Sequence, residues 1–187
     1  TAGEFPKESF IKELTEKVPV STIIHGIHES ASDVAIAENS EVIFGAGVIY
    51  ETVLGRLFRI SPASFFQTNT WAAEKLYESI RLWLTPLNPK SLLDLYCGSG
   101  GISLSVADLC EQVTGVDISD SAIADARKNA EDNDVGNVEF ICAGAERLAL
   151  DFISRFKHDV VVIDPPRSGL HPKVREVLIE LKFPWLL

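Results

Sequence analysis

Apolar and polar positions along residues 61–187 follow two different periods. Short apolar runs predict buried strands, and apolar residues every three or four positions predict helices. Strands buried on both faces that alternate with helices imply a mostly parallel sheet covered on both sides, an α/β fold of the doubly wound kind. The predicted strands are 91–95, 112–117, 137–142 and 159–164, with another beginning near Trp185. The first predicted helix is 71–84, with Ala72, Leu76, Ile80 and Leu84 at steps of four and Thr70 as its cap. A second helix is predicted over 101–110, and a third is capped by Ser119. A fourth is marked by Leu148, Phe152 and Phe156, and a fifth begins at Pro172.

Residues 1–60 carry a different pattern. The apolar spacing over 6–18 predicts a short amphipathic helix, and 20–60 is predicted to form short strands. The run 47–60 predicts a hairpin that turns near Gly55. We therefore assign residues 1–60 to part of a β-rich domain and residues 61–187 to the N-terminal part of the sheet domain.

Composition narrows the class of protein. Of the 187 residues, 46% are hydrophobic and 24% are charged, which is ordinary for a globular protein. No apolar stretch approaches the roughly 20 residues that cross a bilayer, and no basic-then-apolar leader opens the chain, so neither a membrane nor secretion is expected. Three cysteines without metal-type spacing argue against a disulfide framework or a metal site and favour an intracellular compartment. The net charge of −10 argues that the chain does not bind nucleic-acid phosphates strongly by itself.

Candidate binding groups follow the first two predicted strands. Gly98 and Gly100 come directly after strand 91–95, where glycines let the backbone pass close to a ligand at a helix N-terminus. Asp117 ends the second strand, where a carboxylate can accept hydrogen bonds from both hydroxyls of a ribose. The alternatives are a tight strand-to-helix turn and an acid that favours a helix N-terminus. Together the two features predict a nucleoside cofactor.

The surroundings of the glycines favour one cofactor. A dinucleotide-binding fingerprint has a third glycine, where this chain has Ser103. Asp94 precedes the loop and could orient an ammonium group, whereas it would repel a pyrophosphate. This combination favours S-adenosylmethionine, which carries an amino-acid end.

Two further segments are predicted to meet the same edge of the sheet. Asp164 is followed by two prolines, which fix the backbone and hold the acid in place, although a rigid connector is the alternative. Phe65 and Phe66 precede Gln67, which could reach the polar end of the cofactor. One of the two rings is expected in the core, and the other offers a stacking face for a flipped base.

Three motifs together resemble the RNA uracil-5-methyltransferases, which make 5-methyluridine in transfer or ribosomal RNA. They are 65–69 (FFQTN), 94–100 (DLYCGSG) and 164–170 (DPPRSGL), and the resemblance covers roughly residues 45–187. It implies a Rossmann-like S-adenosylmethionine-dependent methyltransferase sheet, here without its C-terminal strands. It also implies that the cofactor site is lined by Gln67, Tyr96, Gly98, Gly100, Gly101, Asp117 and Asp164, and that Phe65 and Arg167 meet the substrate base. Two positions depart from the family pattern. Other family members often have asparagine at the position of Gly101 and glutamate at the position of Asp117.

The resemblance further implies covalent catalysis by a cysteine thiolate. In the family this cysteine lies in a Ser-Cys-Asn-Pro motif after the strand that here begins near Trp185, so the nucleophile and the general base are expected beyond Leu187. No catalytic residue is predicted within the chain. Cys97 suits a turn, Cys110 ends a helix face and Cys142 ends a strand.

Other functions stay open. An amino methyltransferase would carry an aromatic residue after Asp-Pro-Pro, where this chain has Arg167. A non-catalytic module that binds cofactor or RNA is the second alternative. The expected cofactor is S-adenosylmethionine and the expected partner is RNA, with transfer RNA favoured over ribosomal RNA by resemblance alone. The sequence does not distinguish cytoplasm, nucleus and mitochondrion, nor the oligomeric state.

Overall fold

A parallel sheet organises the larger of two units. The computed structural model describes residues 5–27, 39–62, 64–144 and 158–187. One unit comprises Thr1–Ile49 with Ser61–Ala63, and the other comprises Tyr50–Ile60 with Ser64–Leu187. In chain order the elements are α1 (Lys7–Lys17), β1 (Thr22–Ile27), β2 (Asn39–Gly45), β3 (Ile49–Val53), β4 (Arg56–Ile60), α2 (Thr70–Leu84), β5 (Ser91–Leu95), α3 (Gly101–Val106), a 3₁₀ turn (Ala107–Leu109), β6 (Gln112–Asp117), α4 (Asp120–Asp132), β7 (Val138–Cys142), β8 (Val160–Ile163), α5 (Pro172–Leu181) and β9 (Trp185–Leu186).

The strand order of the main sheet is β7-β6-β5-β8-β9, and all of its pairings are parallel. The first strand of this sheet therefore lies at its centre, and the order reverses between β5 and β8. Such a reversal is the topological switch point where doubly wound folds bind ligands. The predicted α/β class and its parallel sheet are confirmed.

Both faces of the sheet are covered. On one face, β5 contributes Leu92 to a core that also contains residues of β3, β4, α2, α3 and α4. On the other face, Leu93 and Leu95 pack with Val174 and Leu178 of α5. The alternation of β5 side chains between two cores explains why the strand is apolar at consecutive positions.

The face that α2 buries differs from the predicted one. Its buried residues are Ala73, Tyr77, Ile80 and Leu84, whereas Ala72 and Leu76 are exposed. Regular steps of four drift around a helix of 3.6 residues per turn, so only the later members of the predicted series lie on the buried face.

The helix ends show one correction and two confirmations. Asn69, not Thr70, caps α2, because its side-chain oxygen accepts a hydrogen bond from the Ala72 amide at 3.0 Å. Ser119 caps α4 as predicted. Pro172 begins α5 as predicted, and the region predicted as a helix over 101–110 ends in the 3₁₀ turn. The helix predicted around Leu148, Phe152 and Phe156 lies outside the described residues.

The hairpin predicted near Gly55 is confirmed. β3 and β4 form a two-stranded sheet, and the turn between them has positive φ angles at both Leu54 (49°) and Gly55 (76°), as in type I′ turns. Residues 50–60 group with the larger unit rather than with residues 1–49. This hairpin packs with the main sheet, since Val53 and Phe58 belong to the core beneath it. The assignment of residues 1–60 to one domain stays a prediction.

The smaller unit pairs β1 with β2 in antiparallel register, with Thr22 opposite Gly45. The helix predicted over 6–18 is present as α1, and Lys7 at its start forms an ion pair with Glu41 of β2. The ring of Phe5 stacks on His25 with centroids 4.5 Å apart. Across the described ranges, no helix combines the length and apolar character needed to span a membrane.

Asn129 of α4 joins three parts of the larger unit. Its side-chain oxygen accepts a hydrogen bond from the Arg59 amide at 2.7 Å, and its side-chain nitrogen donates to the carbonyl oxygens of Arg59 (3.2 Å) and Ser99 (3.1 Å). The residue is completely buried. It therefore ties β4 and the glycine-rich loop to α4 through hydrogen bonds to the partly buried main chain of Arg59 and the buried main chain of Ser99.

Asn129→Ala is expected to lower the free energy of unfolding by about 2–3 kcal/mol, because it leaves buried main-chain groups without partners. Urea denaturation followed by circular dichroism measures the change. The control is Lys128→Ala, which removes an exposed side chain with only surface ion pairs and should cost less than about 1 kcal/mol. Equal losses in the two variants would contradict the role of Asn129.

Candidate functional site

A concave pocket opens at the carboxyl ends of β5 and β8. Four segments contribute its lining: 65–67 before α2, Tyr77 within α2, the loop 96–102 and the residue after β8. The position agrees with the switch point of the sheet. Of the residues predicted to bind cofactor or substrate, those lining the pocket are Phe65, Gln67, Tyr96, Gly98, Gly101 and Asp164.

The loop after β5 departs from ordinary backbone conformations. Tyr96 has φ 66°, Gly98 has φ 54° and Gly100 has φ 87°. The loop is held by hydrogen bonds from the Cys97 amide to the carbonyl of Val116 (3.0 Å) and from the Gly100 amide to the carbonyl of Cys97 (2.9 Å). A positive φ is costly for a tyrosine and persists only where the surroundings enforce it, as they commonly do at binding sites.

Asp117 is oriented by two main-chain donors. One carboxylate oxygen accepts from the Gly98 amide and the other from the Ser119 amide, both at 2.9 Å. Each carboxylate oxygen has a second lone pair, so the group can still accept two hydrogen bonds from a ligand. The half-buried carboxylate is thereby held rigid beside the glycine-rich loop, and no cation is needed to hold it.

The two adjacent glycines of the loop face different neighbours. A Cβ added at Gly100 would lie 2.9 Å from the ring of Phe140 and 3.3 Å from Ala126, so this glycine permits close packing of the loop on α4 and β7. A Cβ added at Gly101 would lie 2.3 Å from the hydroxyl of Tyr77, on the pocket side. Of these two glycines, Gly100 contributes to the shape of the loop and Gly101 lines the pocket.

Phe65 and Phe66 separate as expected into one exposed and one packed ring. Phe66 packs against the core and lies 5.5 Å from Phe58 between ring centroids. Phe65 is 70% exposed at the pocket, although it is a large apolar side chain. The preceding Ser64 donates a 2.6 Å hydrogen bond to buried Asp125 of α4, which anchors the segment.

Asp164 and Arg167 behave differently although they share a motif. Asp164 directly follows β8 and lines the pocket. Arg167 is exposed in a turn closed by a 2.8 Å hydrogen bond from the Gly169 amide to the Pro166 carbonyl, and it is not among the pocket-lining residues. The structure therefore brings the carboxylate of Asp164 to the pocket but not the guanidinium of Arg167.

Asp94 is not placed as the sequence suggests. Its carboxylate is completely buried, and one oxygen accepts hydrogen bonds from the Ser103 amide (3.0 Å) and the Ser103 hydroxyl (2.6 Å). The other oxygen has no hydrogen-bond partner among the described residues. Burial raises the pKa of Asp94 to about 7, with smaller contributions from Asp164 and Asp117. Direct contact with the ammonium of a ligand is therefore not available to Asp94 in this structure.

None of the three cysteines is prepared for nucleophilic attack. Burial raises the pKa of Cys97 well above its usual value and that of Cys110 to about 11. The exposed Cys142 donates a 2.9 Å hydrogen bond to Asp120, which raises its pKa. Because the thiolate is the reactive form, these raised pKa values disfavour nucleophilic attack by all three cysteines at neutral pH. Over the described residues, moreover, no three metal-binding side chains come together.

Tyr77 is a pocket residue that the sequence analysis missed. The prediction placed Ala72 and Leu76 on the inner face of α2, one position away from the true buried face. The spacing 73, 77, 80 and 84, in steps of four and three, was the available signal. It would have placed a tyrosine on the side of α2 that faces the sheet.

Comparison with known proteins decides the family. Residues 34–183 match the sequence model of the family described as tRNA (Uracil-5-)-methyltransferase. The chain belongs to the tRNA (uracil-5-)-methyltransferase family. An uncharacterized RNA methyltransferase of Clostridium tetani is 37% identical over 177 residues, which cover 95% of this chain and 38% of that protein. The human tRNA (uracil-5-)-methyltransferase homolog A is 46% identical over 136 residues, which cover 72% of this chain and 22% of the human protein.

A solved structure of the same family supports the fold. The Pyrococcus abyssi tRNA (uracil-54, C5)-methyltransferase, determined in complex with S-adenosyl-L-homocysteine, matches with a TM-score of 0.73 and 30% identity. The match covers 90% of this chain and 41% of the Pyrococcus protein. The chain thus spans well under half the length of these family members. The predicted Rossmann-like methyltransferase sheet is confirmed.

Asp94→Asn is expected to become more stable relative to the parent chain as the pH rises from about 4 to about 7. The folded-state pKa of Asp94 is raised above its usual value of 3.8, so the folded parent binds more protons than the unfolded chain in this window. The contribution of Asp94 to the free energy of unfolding of the parent chain therefore falls as the pH rises, by at most about 1.4 kcal/mol per pH unit. Above the folded-state pKa this contribution is constant. Asparagine removes this dependence and keeps an acceptor for Ser103.

The measurement is urea denaturation of both chains between pH 4 and pH 8, reported as the difference in free energy of unfolding. The difference is used because buried His158, whose pKa burial lowers to about 4, contributes with the opposite sign in both chains. A difference that does not change with pH would show that Asp94 is charged throughout and contradict the prediction.

Proposed function

We propose that this chain binds S-adenosylmethionine and forms the cofactor-binding part of an enzyme that methylates C5 of a uridine in RNA. The observation that carries the proposal is the pocket at the switch point, where motif residues from separate segments of the chain meet. Family membership supports the proposal independently of the geometry. When bound, S-adenosylmethionine supplies the methyl group.

The charge of the pocket lining favours this cofactor over a dinucleotide. Asp117, whose carboxylate keeps two free lone pairs, would accept the ribose hydroxyls. The described pocket lining contains no Lys, Arg or His, and Asp164 is an acid. A pyrophosphate would meet negative charge there, whereas the sulfonium and ammonium groups of S-adenosylmethionine are attracted to it. Gln67, Tyr96, Gly98 and Gly101 would complete the site, with Gly100 shaping the loop.

Phe65 is proposed to stack on the uracil that undergoes methylation. A base must leave its stack to reach an enzyme pocket, and an aromatic side chain gives it a new stacking face. The ring is 70% exposed and lies at the proposed cofactor pocket. Arg167 is proposed to contact the RNA near that base, a role for which its exposed turn leaves it accessible.

The covalent step is proposed to use a cysteine that residues 1–187 do not supply. Uracil C5 is a poor nucleophile until a thiolate adds to C6, and the three thiols of this chain are protonated. The part described here would then present cofactor and base to a thiolate carried elsewhere in the protein. The binding-only alternative is the expected behaviour of residues 1–187 alone.

Transfer RNA is proposed as the substrate in preference to ribosomal RNA. The family description and the human and Pyrococcus proteins all carry transfer RNA in their names. The chain itself has 17 basic and 27 acidic residues, so the affinity for phosphates is proposed to come from other parts of the protein. An intracellular location, where RNA is modified, accompanies this proposal.

Asp117→Ala is expected to weaken the binding of S-adenosylhomocysteine by at least about tenfold, because two hydrogen bonds to a charged acceptor are lost. Isothermal titration calorimetry of the chain measures the change, with NAD as a ligand that should not bind. Asp117→Asn, which retains one acceptor oxygen, should give an intermediate affinity.

The matched control is Asp132→Ala, which makes the same change in charge at the C-terminal end of α4, remote from the carboxyl ends of the strands. It should bind within about twofold of the parent chain. Circular dichroism establishes that each variant is folded. A folded parent chain that binds NAD as well as S-adenosylhomocysteine, or neither, would refute the proposed cofactor.

This prediction applies to a catalytically active protein that contains residues 1–187. In that protein, Phe65→Ala is expected to lower kcat/KM for RNA methylation by at least about tenfold, because base stacking contributes about 1–3 kcal/mol. The affinity for S-adenosylhomocysteine should change by less than about twofold, since the exposed ring is proposed to meet the base. Phe65→Tyr retains a stacking ring and serves as the control. A parallel loss of cofactor affinity in Phe65→Ala would assign the ring to the cofactor instead.

A further inference from the structure

Tyr77 combines a core position with a hydroxyl at the pocket. Its side chain is 5% exposed and belongs to the core beneath α2, together with Ala73 and Ile80. It also lines the pocket, where the neighbouring segments contribute Gln67 and Asp164. The ring is therefore held by packing, and the hydroxyl at its end has a defined position.

The absence of a side chain at Gly101 creates the space that this hydroxyl occupies. A Cβ at position 101 would lie 2.3 Å from the Tyr77 oxygen and 3.0 Å from the carbon that bears it. The first distance is too short for atoms that are not bonded and the second is tight, so the Tyr77 side chain would have to shift before any larger residue could stand at position 101. The phenol reaches the loop because residue 101 is glycine.

The Tyr77 hydroxyl is an available hydrogen-bond donor. Within residues 5–27, 39–62, 64–144 and 158–187 it makes no hydrogen bond, and its oxygen is not fully buried, so a ligand in the pocket can reach it. Burial, and then the negative charges of Asp94 and Asp164, raise the pKa of Tyr77 above its usual value of 10. The phenol is therefore protonated at every physiological pH and can donate.

The pocket lining indicates which group such a donor would serve. A ligand with an amino-acid end brings one ammonium and one carboxylate, and Asp164 can attract the ammonium. No Lys, Arg or His is present in the described lining, so a carboxylate there must be held by neutral donors. A rigid phenol that lacks a partner is suited to this task, since little side-chain entropy is lost on binding.

We propose that the Tyr77 hydroxyl donates a hydrogen bond to the carboxylate of the cofactor's amino-acid end, in the space left by Gly101. The inference rests on the proposed function and deepens it, because it names the residue that recognises one end of the ligand. Tyr77 thereby selects for ligands that carry an α-carboxylate over nucleosides that do not.

The test is calorimetric titration of the parent chain and of Tyr77→Phe with three ligands. These are S-adenosylhomocysteine, its decarboxylated analogue, in which an aminopropyl thioether replaces the amino-acid end, and 5′-methylthioadenosine. Tyr77→Phe should bind S-adenosylhomocysteine about 5- to 20-fold more weakly, as for one hydrogen bond to a charged group. Its affinity for the two ligands without a carboxylate should change by less than about twofold.

Tyr50→Phe is the matched control, because it removes the same atom from an exposed tyrosine of β3. It should leave all three affinities unchanged. An equal loss for all three ligands in Tyr77→Phe would show a structural role and overturn the inference, as would no loss for any. If the parent chain does not bind S-adenosylhomocysteine, the proposed function is refuted. If the parent chain binds and Tyr77→Phe binds equally well, only the inference about Tyr77 is refuted.

A second measurement examines the contact between the two residues without any ligand. Gly101→Ala should lower Tm at least about twice as far in the parent background as in the Tyr77→Phe background, because removing the hydroxyl removes the closest clash. Gly136→Ala, where an added Cβ meets nothing within 4 Å, should cause the same small change in both backgrounds. Equal effects of Gly101→Ala in the two backgrounds would show that the hydroxyl does not occupy this space and would overturn the inference.

Discussion

The register of β5 between β6 and β8 is the constraint on which the site depends. Leu95 pairs with Val116 on one side and with Ile163 on the other, so the three strands end at the same level. Parallel strands place their carboxyl ends at one edge, and the residues that follow must therefore emerge together. A shift of β5 by one residue would exchange its two faces and separate Asp117 from the glycine-rich loop that donates to it.

The sequence predicted the sheet well because its strands are buried on both faces and its loops carry recognisable residues. It predicted less well where a side chain's role depends on a neighbour remote in sequence. Asp94 is the second-last residue of β5 and Asp117 is the last residue of β6. Ser103 holds Asp94 inside the core, whereas the amides of Gly98 and Ser119 hold the half-buried Asp117 beside the glycine-rich loop. Tyr77 was missed because the buried face of α2 was assigned one position away, and its contact with Gly101, which is remote in sequence, left no local signal that could correct this.

Among the described residues, the pocket lining carries negative charge and no cation. Asp164 lines the pocket, Asp117 accepts a hydrogen bond from the amide of Gly98, which also lines it, and Asp94 lies buried nearby. Beside burial, the charges of Asp164 and Asp117 contribute to the high pKa of Asp94. A cationic ligand relieves this repulsion, so the same arrangement that is unfavourable in the free chain favours a sulfonium and an ammonium over a phosphate. Electrostatics and the glycine pattern therefore lead separately to the same class of cofactor.

The excess of acidic residues bears on how RNA is recognised. A chain with a net charge of −10 repels the phosphate backbone, and this repulsion acts at long range. An exposed aromatic ring acts only at contact, through a π face that carries no charge. Under the proposed function, Phe65, exposed while its neighbour Phe66 packs in the core, would hold a base that other parts of the protein bring to the pocket. Affinity for the backbone and placement of the base would then be separable tasks, and Phe65 is suited to the second.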